Sequence, residues 1–170
     1  MLSNNSHTAF TLLELLIYMA MAAILLAIVG SVGVSVLSNK ARLNTLEDIG
    51  SDGRFVSQRV IDLIDSADSV NFPNYGSASS SISLAMAETT KNPTIISVQN
   101  NRLMIKEGAS TAQALTIADV QVSSLNFTNM SVSPEPATIR SQITLSSQST
   151  GLSDYNLSRT FVTTTNIRKQ

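Results

Sequence analysis

The chain contains no cysteine. No disulfide can staple it, and no thiolate nucleophile or Cys-ligated metal site can form. Its single histidine, His7, stands ahead of a long apolar run, which rules out a Ser-His-Asp constellation in the remainder of the chain. The carboxylates Glu88, Glu107, Asp119, Glu135 and Asp154 are scattered, without the close spacing of a calcium loop. There is no phosphate-binding glycine loop and no internal repeat. Net charge is −1 and the pI about 5.7, so no general attraction to nucleic acid is expected. The basic residues Arg159, Arg168 and Lys169 are expected to be a solvated end rather than a phosphate contact. These absences lead to the expectation of a chain that is not an enzyme and holds no metal and no cofactor.

Charge is also missing from one particular place. From Leu15 to Leu37 there are 23 residues without Asp, Glu, Lys or Arg. As a helix the run would reach roughly 35 Å, longer than a hydrocarbon core of about 30 Å, so a membrane-spanning helix is expected. A cleavable secretory signal, the main alternative, has an apolar region of only about 7–15 residues. Residues 1–9 carry no Lys or Arg, whereas Lys40 and Arg42 follow the span. Charge counting alone would therefore place the C-terminal part in the cytoplasm. The one charge near the start of the run is Glu14. An ionised side chain costs on the order of 2.5–3.5 kcal/mol at mid-bilayer on insertion scales and usually has a partner, so its position calls for an explanation.

Beyond Ser38 the pattern changes to a single apolar stripe. Ile49, Val56, Leu63 and Val70 recur at heptad spacing, joined by Leu46, Val60 and Ala67, with Glu47, Asp48, Asp52, Arg54, Arg59, Asp62 and Asp65 on the other faces. An amphipathic helix half over 39–72 is expected, ended by Pro73 and Gly76 and prone to bend at Gly50 and Gly53. Residues 73–170 then turn to Ser, Thr, Asn and β-branched residues. Residues 77–83, SASSSIS, read as a polar loop. Residues 94–108 read as two strands joined by a tight turn at Asn100-Asn101. Val120 and Val122, then Leu125 and Phe127, alternate with one change of phase, which predicts a bulge. Ile139, Ile143 and Leu145 alternate with Ser141 in the missing place, and a last strand is expected near 156–164. Four to six antiparallel strands, too poor in large apolar residues to make a sandwich, would need the amphipathic helix as their cover. The expected class is α+β: a long N-terminal helix, membrane-spanning then amphipathic, packed on an antiparallel sheet domain.

The stretch Ala9-Phe10-Thr11-Leu12-Leu13-Glu14, with a short polar leader before it and an uninterrupted apolar run after it, resembles the N-terminus of type IV pilin-like proteins over about residues 4–37. That family includes pilins, minor pilins and the pseudopilins of type II secretion. The resemblance implies a leader of residues 1–9, cut between Ala9 and Phe10 by a prepilin peptidase that also methylates the new amine of Phe10. Residues 10–38 would then form the transmembrane and filament-core helix. Ala9 stands where the family usually has Gly, and the leader lacks the usual basic residues. In a filament the cationic Phe10 amine would sit in an apolar core, where Glu14 of a neighbouring subunit neutralises it and selects one axial stagger.

Ala20, Ala23, Ala27 and Gly30, at 3–4 spacing, would let helices approach closely. No Pro occurs before Pro73, so any unwinding would fall at Gly30 or Gly33. The strings GRFVSQRVIDLIDSADSV, NNRLMIKEG and VSSLNF are similar to the minor pseudopilin J and minor pilin W group. That similarity implies a minor subunit, with a prepilin peptidase, other pilins or pseudopilins and inner-membrane lipid as partners. Two alternatives are a tip-located binding module, an adhesin or DNA receptor using Tyr75, Tyr155, Phe161 and the C-terminal basic residues, and a signal-anchored membrane protein unrelated to filaments.

Overall fold

A computed structural model describes residues 11–132, 136–147 and 157–168. The chain divides into two compact units, Met1–Leu43 and Asn44–Gln170. A single helix, α1 (Leu12–Asp65), supplies all the regular structure described in the first unit and the opening of the second. Within the first unit the large apolar side chains of α1 are exposed, including Leu13, Ile17, Leu25, Val29 and Leu37. Its few hydroxyls are satisfied inside the helix. Ser31 donates to the carbonyl of Ile28 at 2.8 Å, Ser35 to Ser31 at 3.0 Å and Ser38 to Val34 at 2.9 Å. A hydroxyl bonded to the preceding turn needs no water, so these serines are compatible with an apolar surrounding.

In the second unit, α1 is followed by β1 (Ala67–Phe72), β2 (Ala78–Ser79), β3 (Ile82–Met86), a 3-10 turn at Thr89–Lys91, β4 (Thr94–Gln99) and β5 (Arg102–Glu107). Then come β6 (Gln113–Ala114), β7 (Val120–Asn129), β8 (Thr138–Ser147) and β9 (Ser158–Asn166). All pairings are antiparallel, in one sheet of order β1-β3-β4-β5-β6 and another of order β2-β7-β8-β9. The hairpin of β4 and β5 turns at Asn100 and Asn101, both left-handed with φ of 52° and 59°, a conformation that Asn tolerates and that matches strand twist. The register of β7 against β8 shifts between Val122 and Ser124, the bulge expected from the change of phase. On β8, Ile139, Ser141, Ile143 and Leu145 all face inward.

Four expectations need correction. The helix ends at Asp65, not in the low seventies, and residues 67–72 form β1. Ser66 closes the helix by donating its backbone N–H to the Asp62 carbonyl and its hydroxyl to the Leu63 carbonyl. Ser and Asp at 65–69 compete with helical hydrogen bonding, and Val70 and Phe72 pair with β3 instead. Leu46 is 41% exposed and stands outside the stripe, whereas Ile64 is fully buried. A straight helix drifts from a strict heptad, and Val60 with Ile64 follows the true period. The strands number nine among the described residues, in two sheets rather than one covered layer. The supposed loop at 77–83 holds β2 and the first residues of β3, whose Ile82, Leu84 and Met86 point inward.

One apolar core joins the pieces. Ile49, Val56, Val60, Leu63 and Ile64 of α1 cluster with Ile82, Leu84, Ile96 and Leu103 of one sheet and Phe127, Ile139, Ile143 and Leu145 of the other. Gly50 and Gly53 remain helical. A Cβ built on Gly53 would stand 2.1 Å from Cε2 and Cζ of Phe161, so glycine is there to admit the ring of β9. At Gly50 the nearest atom to such a Cβ is 3.5 Å away. Gly53→Ala is expected to lose about 1–3 kcal/mol through overpacking. Gly50→Ala should gain up to about 1 kcal/mol from helix propensity. Urea denaturation of both variants checks the contrast.

Asp52 is the buried carboxylate of this core, 5% exposed. Burial raises its pKa above the ordinary 3.8, while the backbone N–H of Ile117 and the Arg102 guanidinium pull it down. Its Oδ2 has no hydrogen-bond partner among the described residues. A native pKa above the unfolded value means that the folded state holds the proton more tightly. The contribution of Asp52 to stability is therefore greatest at low pH and declines as pH rises from about 3.8 through the native pKa. Asp52→Asn should match the parent chain near pH 3.5 and exceed it at pH 7, as read from urea midpoints across that range.

Candidate processing and assembly segment

Glu14 lies in the first turn of α1. Thr11 immediately precedes the helix, its carbonyl accepting the N–H of Leu15 at 3.2 Å and its hydroxyl accepting the N–H of Glu14 at 3.3 Å. Thr11 is thus the N-cap, and Thr11-Leu12-Leu13-Glu14 has the Thr-x-x-Glu form of a capping box. Oε1 of Glu14 accepts a hydrogen bond from the Tyr18 hydroxyl at 3.1 Å, one turn along. The positive end of the helix dipole favours a carboxylate at this point. Within its own chain the Glu14 side chain therefore has two local supports, the helix terminus and a phenol. One hydrogen bond leaves the carboxylate with further lone pairs for a cation.

The small residues Ala20, Ala23, Ala27 and Gly30 are all exposed. At 3.6 residues per turn they fall within an arc of roughly 80°. Among the described residues, nothing lies within 4 Å of a Cβ placed on Gly30 or Gly33. By the same period, Thr11, Glu14 and Tyr18 fall on nearly the opposite side of the helix. The helix thus offers a polar spot at its start on one side and a smooth strip on the other. Ala9 and Phe10, the expected cleavage and methylation positions, lie outside the described residues.

The Thr11 cap and the Tyr18 contact were not anticipated from sequence. The Thr-x-x-Glu spacing and a Tyr four residues after Glu14 were the available signals. Among the residues considered for tip binding, Phe161 packs over Gly53, Arg159 lies 5.5 Å above the Phe161 ring and Arg168 is ion-paired with Asp65 at 3.3 Å. Tyr75 is half-exposed, and Tyr155 and Lys169 fall outside the described residues. No group of three or more His, Cys, Asp or Glu among the described residues could hold a metal ion.

Residues 4–30 match the family model of the prokaryotic N-terminal methylation motif. No curated protein and no solved structure matches the chain. The N-terminal segment is therefore a type IV pilin-like signal, continued by an apolar helix long enough to cross a membrane. The match ends at residue 30 and leaves the sheets outside it.

Removing the cap should loosen the helix start without touching the core. Thr11→Ala is expected to cost about 1 kcal/mol locally. In detergent micelles this should appear as roughly five-fold faster exchange of the Leu15 amide, with thermal unfolding of the sheets unchanged.

Proposed function

We propose that this chain is a structural, non-enzymatic and minor subunit of a type IV pilus or a type II secretion pseudopilus. A prepilin peptidase cuts it between Ala9 and Phe10 and methylates the new Phe10 amine. The observation that carries this reading is the methylation motif at residues 4–30, continued by a helix whose apolar side chains are exposed and whose single early carboxylate, Glu14, has no ion pair among the described residues. The similarity to the minor pseudopilin J and minor pilin W group supports the minor role and rests on the sequence strings alone.

Before assembly, lipid of the inner membrane covers the apolar helix, with Glu14 at the membrane edge. The sheet domain stands outside the cytoplasm in this reading. The motif supports that orientation, against the charge count that Lys40 and Arg42 would give. On assembly the helix exchanges lipid for neighbouring helices, and the small stripe permits close approach. Glu14 then accepts the methylated Phe10 amine of the next subunit. A charge pair enclosed by apolar side chains is specific because every other stagger leaves both charges unpaired.

Glu14→Gln isolates this pairing, because the amide keeps an acceptor for Tyr18 and loses only the charge. Membrane insertion of the variant should be unchanged by carbonate extraction. Its incorporation into sheared filaments, in cells that make the other subunits, should fall at least about ten-fold, the loss expected when an enclosed charge has no partner. Normal incorporation of Glu14→Gln would contradict the assignment and favour a signal-anchored protein unrelated to filaments.

A further inference from the structure

Sheets end in edges, and the edges of this protein are treated unequally. In the sheet of β1, β3, β4, β5 and β6, the ladder of β1 is broken by two register shifts and β6 is two residues long. In the other sheet, β2 is also only two residues long. Irregular or very short edges resist pairing with other chains. The fourth edge, β9, runs nine residues in unbroken register against β8, from Ser158 opposite Ser146 to Asn166 opposite Thr138. From Thr160 to Asn166 it has no charge, proline or glycine. Among the described residues, no strand pairs with its other side.

The direction of its free hydrogen-bonding groups follows from the ladder. Ser147 donates to the Leu157 carbonyl at 3.0 Å and Ile167 to the Ala137 carbonyl at 2.9 Å. With antiparallel alternation, Arg159, Phe161, Thr163 and Thr165 then bond to β8, and Thr160, Val162, Thr164 and Asn166 turn their N–H and C=O groups outward. Beside this edge lies a groove of about 470 Å³ between α1 and β9, lined by Arg54, Ser57, Gln58 and Ile61 on one side and Phe161, Val162 and Thr163 on the other. Ser57 is 8% exposed, and its hydroxyl has no partner among the described residues.

Charge at one end of the groove indicates what it receives. Nη1 of Arg159 and Nη2 of Arg54 lie 3.5 and 3.7 Å from the point where a Cβ on Gly50 would stand, so two guanidinium groups converge there. Arg54 also donates from Nε to the Gly50 carbonyl, and Arg159 lies over the Phe161 ring. The ion pairs among the described residues involve Arg59, Lys91 and Arg168, not these two. Adjacent guanidiniums repel unless an anion lies between them, and a carboxylate can accept from both.

We infer that the free edge of β9 receives an extended segment of a different chain, with a carboxylate on that segment held between Arg54 and Arg159. A second copy does not meet the requirement through its own β9, because Ser158–Asn166 contains no carboxylate and self-pairing would leave the guanidiniums opposed. Main-chain bonds to the outward groups supply the pairing, and the arginine pair sets its register. This inference does not rest on the filament reading.

The test uses the full chain in detergent micelles and two capped nine-residue peptides of alternating Thr and Val, one with a central Glu and one with Gln there. The Glu peptide should slow amide exchange at Thr160, Val162 and Thr164 and leave β1 and β6 unchanged. The Gln peptide should bind at least about five-fold more weakly, and Arg54→Gln should erase that difference. Val162→Pro removes one outward N–H without breaking the ladder to β8, and it should abolish the protection at an unchanged melting temperature. Should Val162→Pro fail to fold, the comparison of the two peptides on Arg54→Gln decides alone. No protection at β9, protection elsewhere, or equal binding of the two peptides overturns the proposal. So does concentration-dependent protection of these amides without peptide, which would make a second copy the occupant.

Discussion

The feature on which everything else depends is an apolar helix that no other described residue covers. From Leu12 to Leu37 the large side chains of α1 are exposed, and the most apolar window of the helix buries none of itself within the chain. Enclosing one Leu, Ile or Met side chain is worth about 1.5–3 kcal/mol, so a dozen of them standing in water would be costly. An apolar surrounding, lipid or other helices, would relieve that exposure. The internal bonding of Ser31, Ser35 and Ser38 and the capping of the helix start by Thr11 fit such a surrounding, because each removes a polar group that would otherwise need water.

The other half of α1 meets a different condition. Its stripe of Ile49, Val56, Val60, Leu63 and Ile64 is buried with both sheets, and Gly53 lets the Phe161 ring approach closely. Asp52 is the exception inside this contact. Burial raises its pKa, and the backbone of Ile117 and the charge of Arg102 oppose that rise. Buried ionisable groups of this kind add little net stability and hold neighbouring segments in one arrangement. Here the held segment leads from β6 to β7.

Local signals with a strong physical basis were legible in the sequence. The Asn100-Asn101 turn was readable because few residues tolerate two consecutive positive φ angles, and the strands on either side alternate cleanly. The bulge in β7 was visible as a change of phase, and Ser141 could be placed in the core row of β8 by its neighbours. The end of α1 was missed because the apolar spacing continues through Ala67 and Val70, and only pairing with β3 makes those residues a strand. Strands β2 and β6 are two residues long and carry no periodic signal. Gly53 reads as a weak point until Phe161, more than a hundred residues later, is brought against it. In the N-terminal segment, the place and sign of Glu14 were readable, and the Thr11 cap and Tyr18 contact belong to the same short string.

The proposed role of Glu14 requires an amine on Phe10, so the chemistry of the N-terminus decides it. The most direct measurement is the intact mass and N-terminal sequence of the membrane-bound chain made together with a prepilin peptidase. The account predicts loss of residues 1–9 and a terminus of N-methylated Phe10. A chain that still begins at Met1 under those conditions would contradict it.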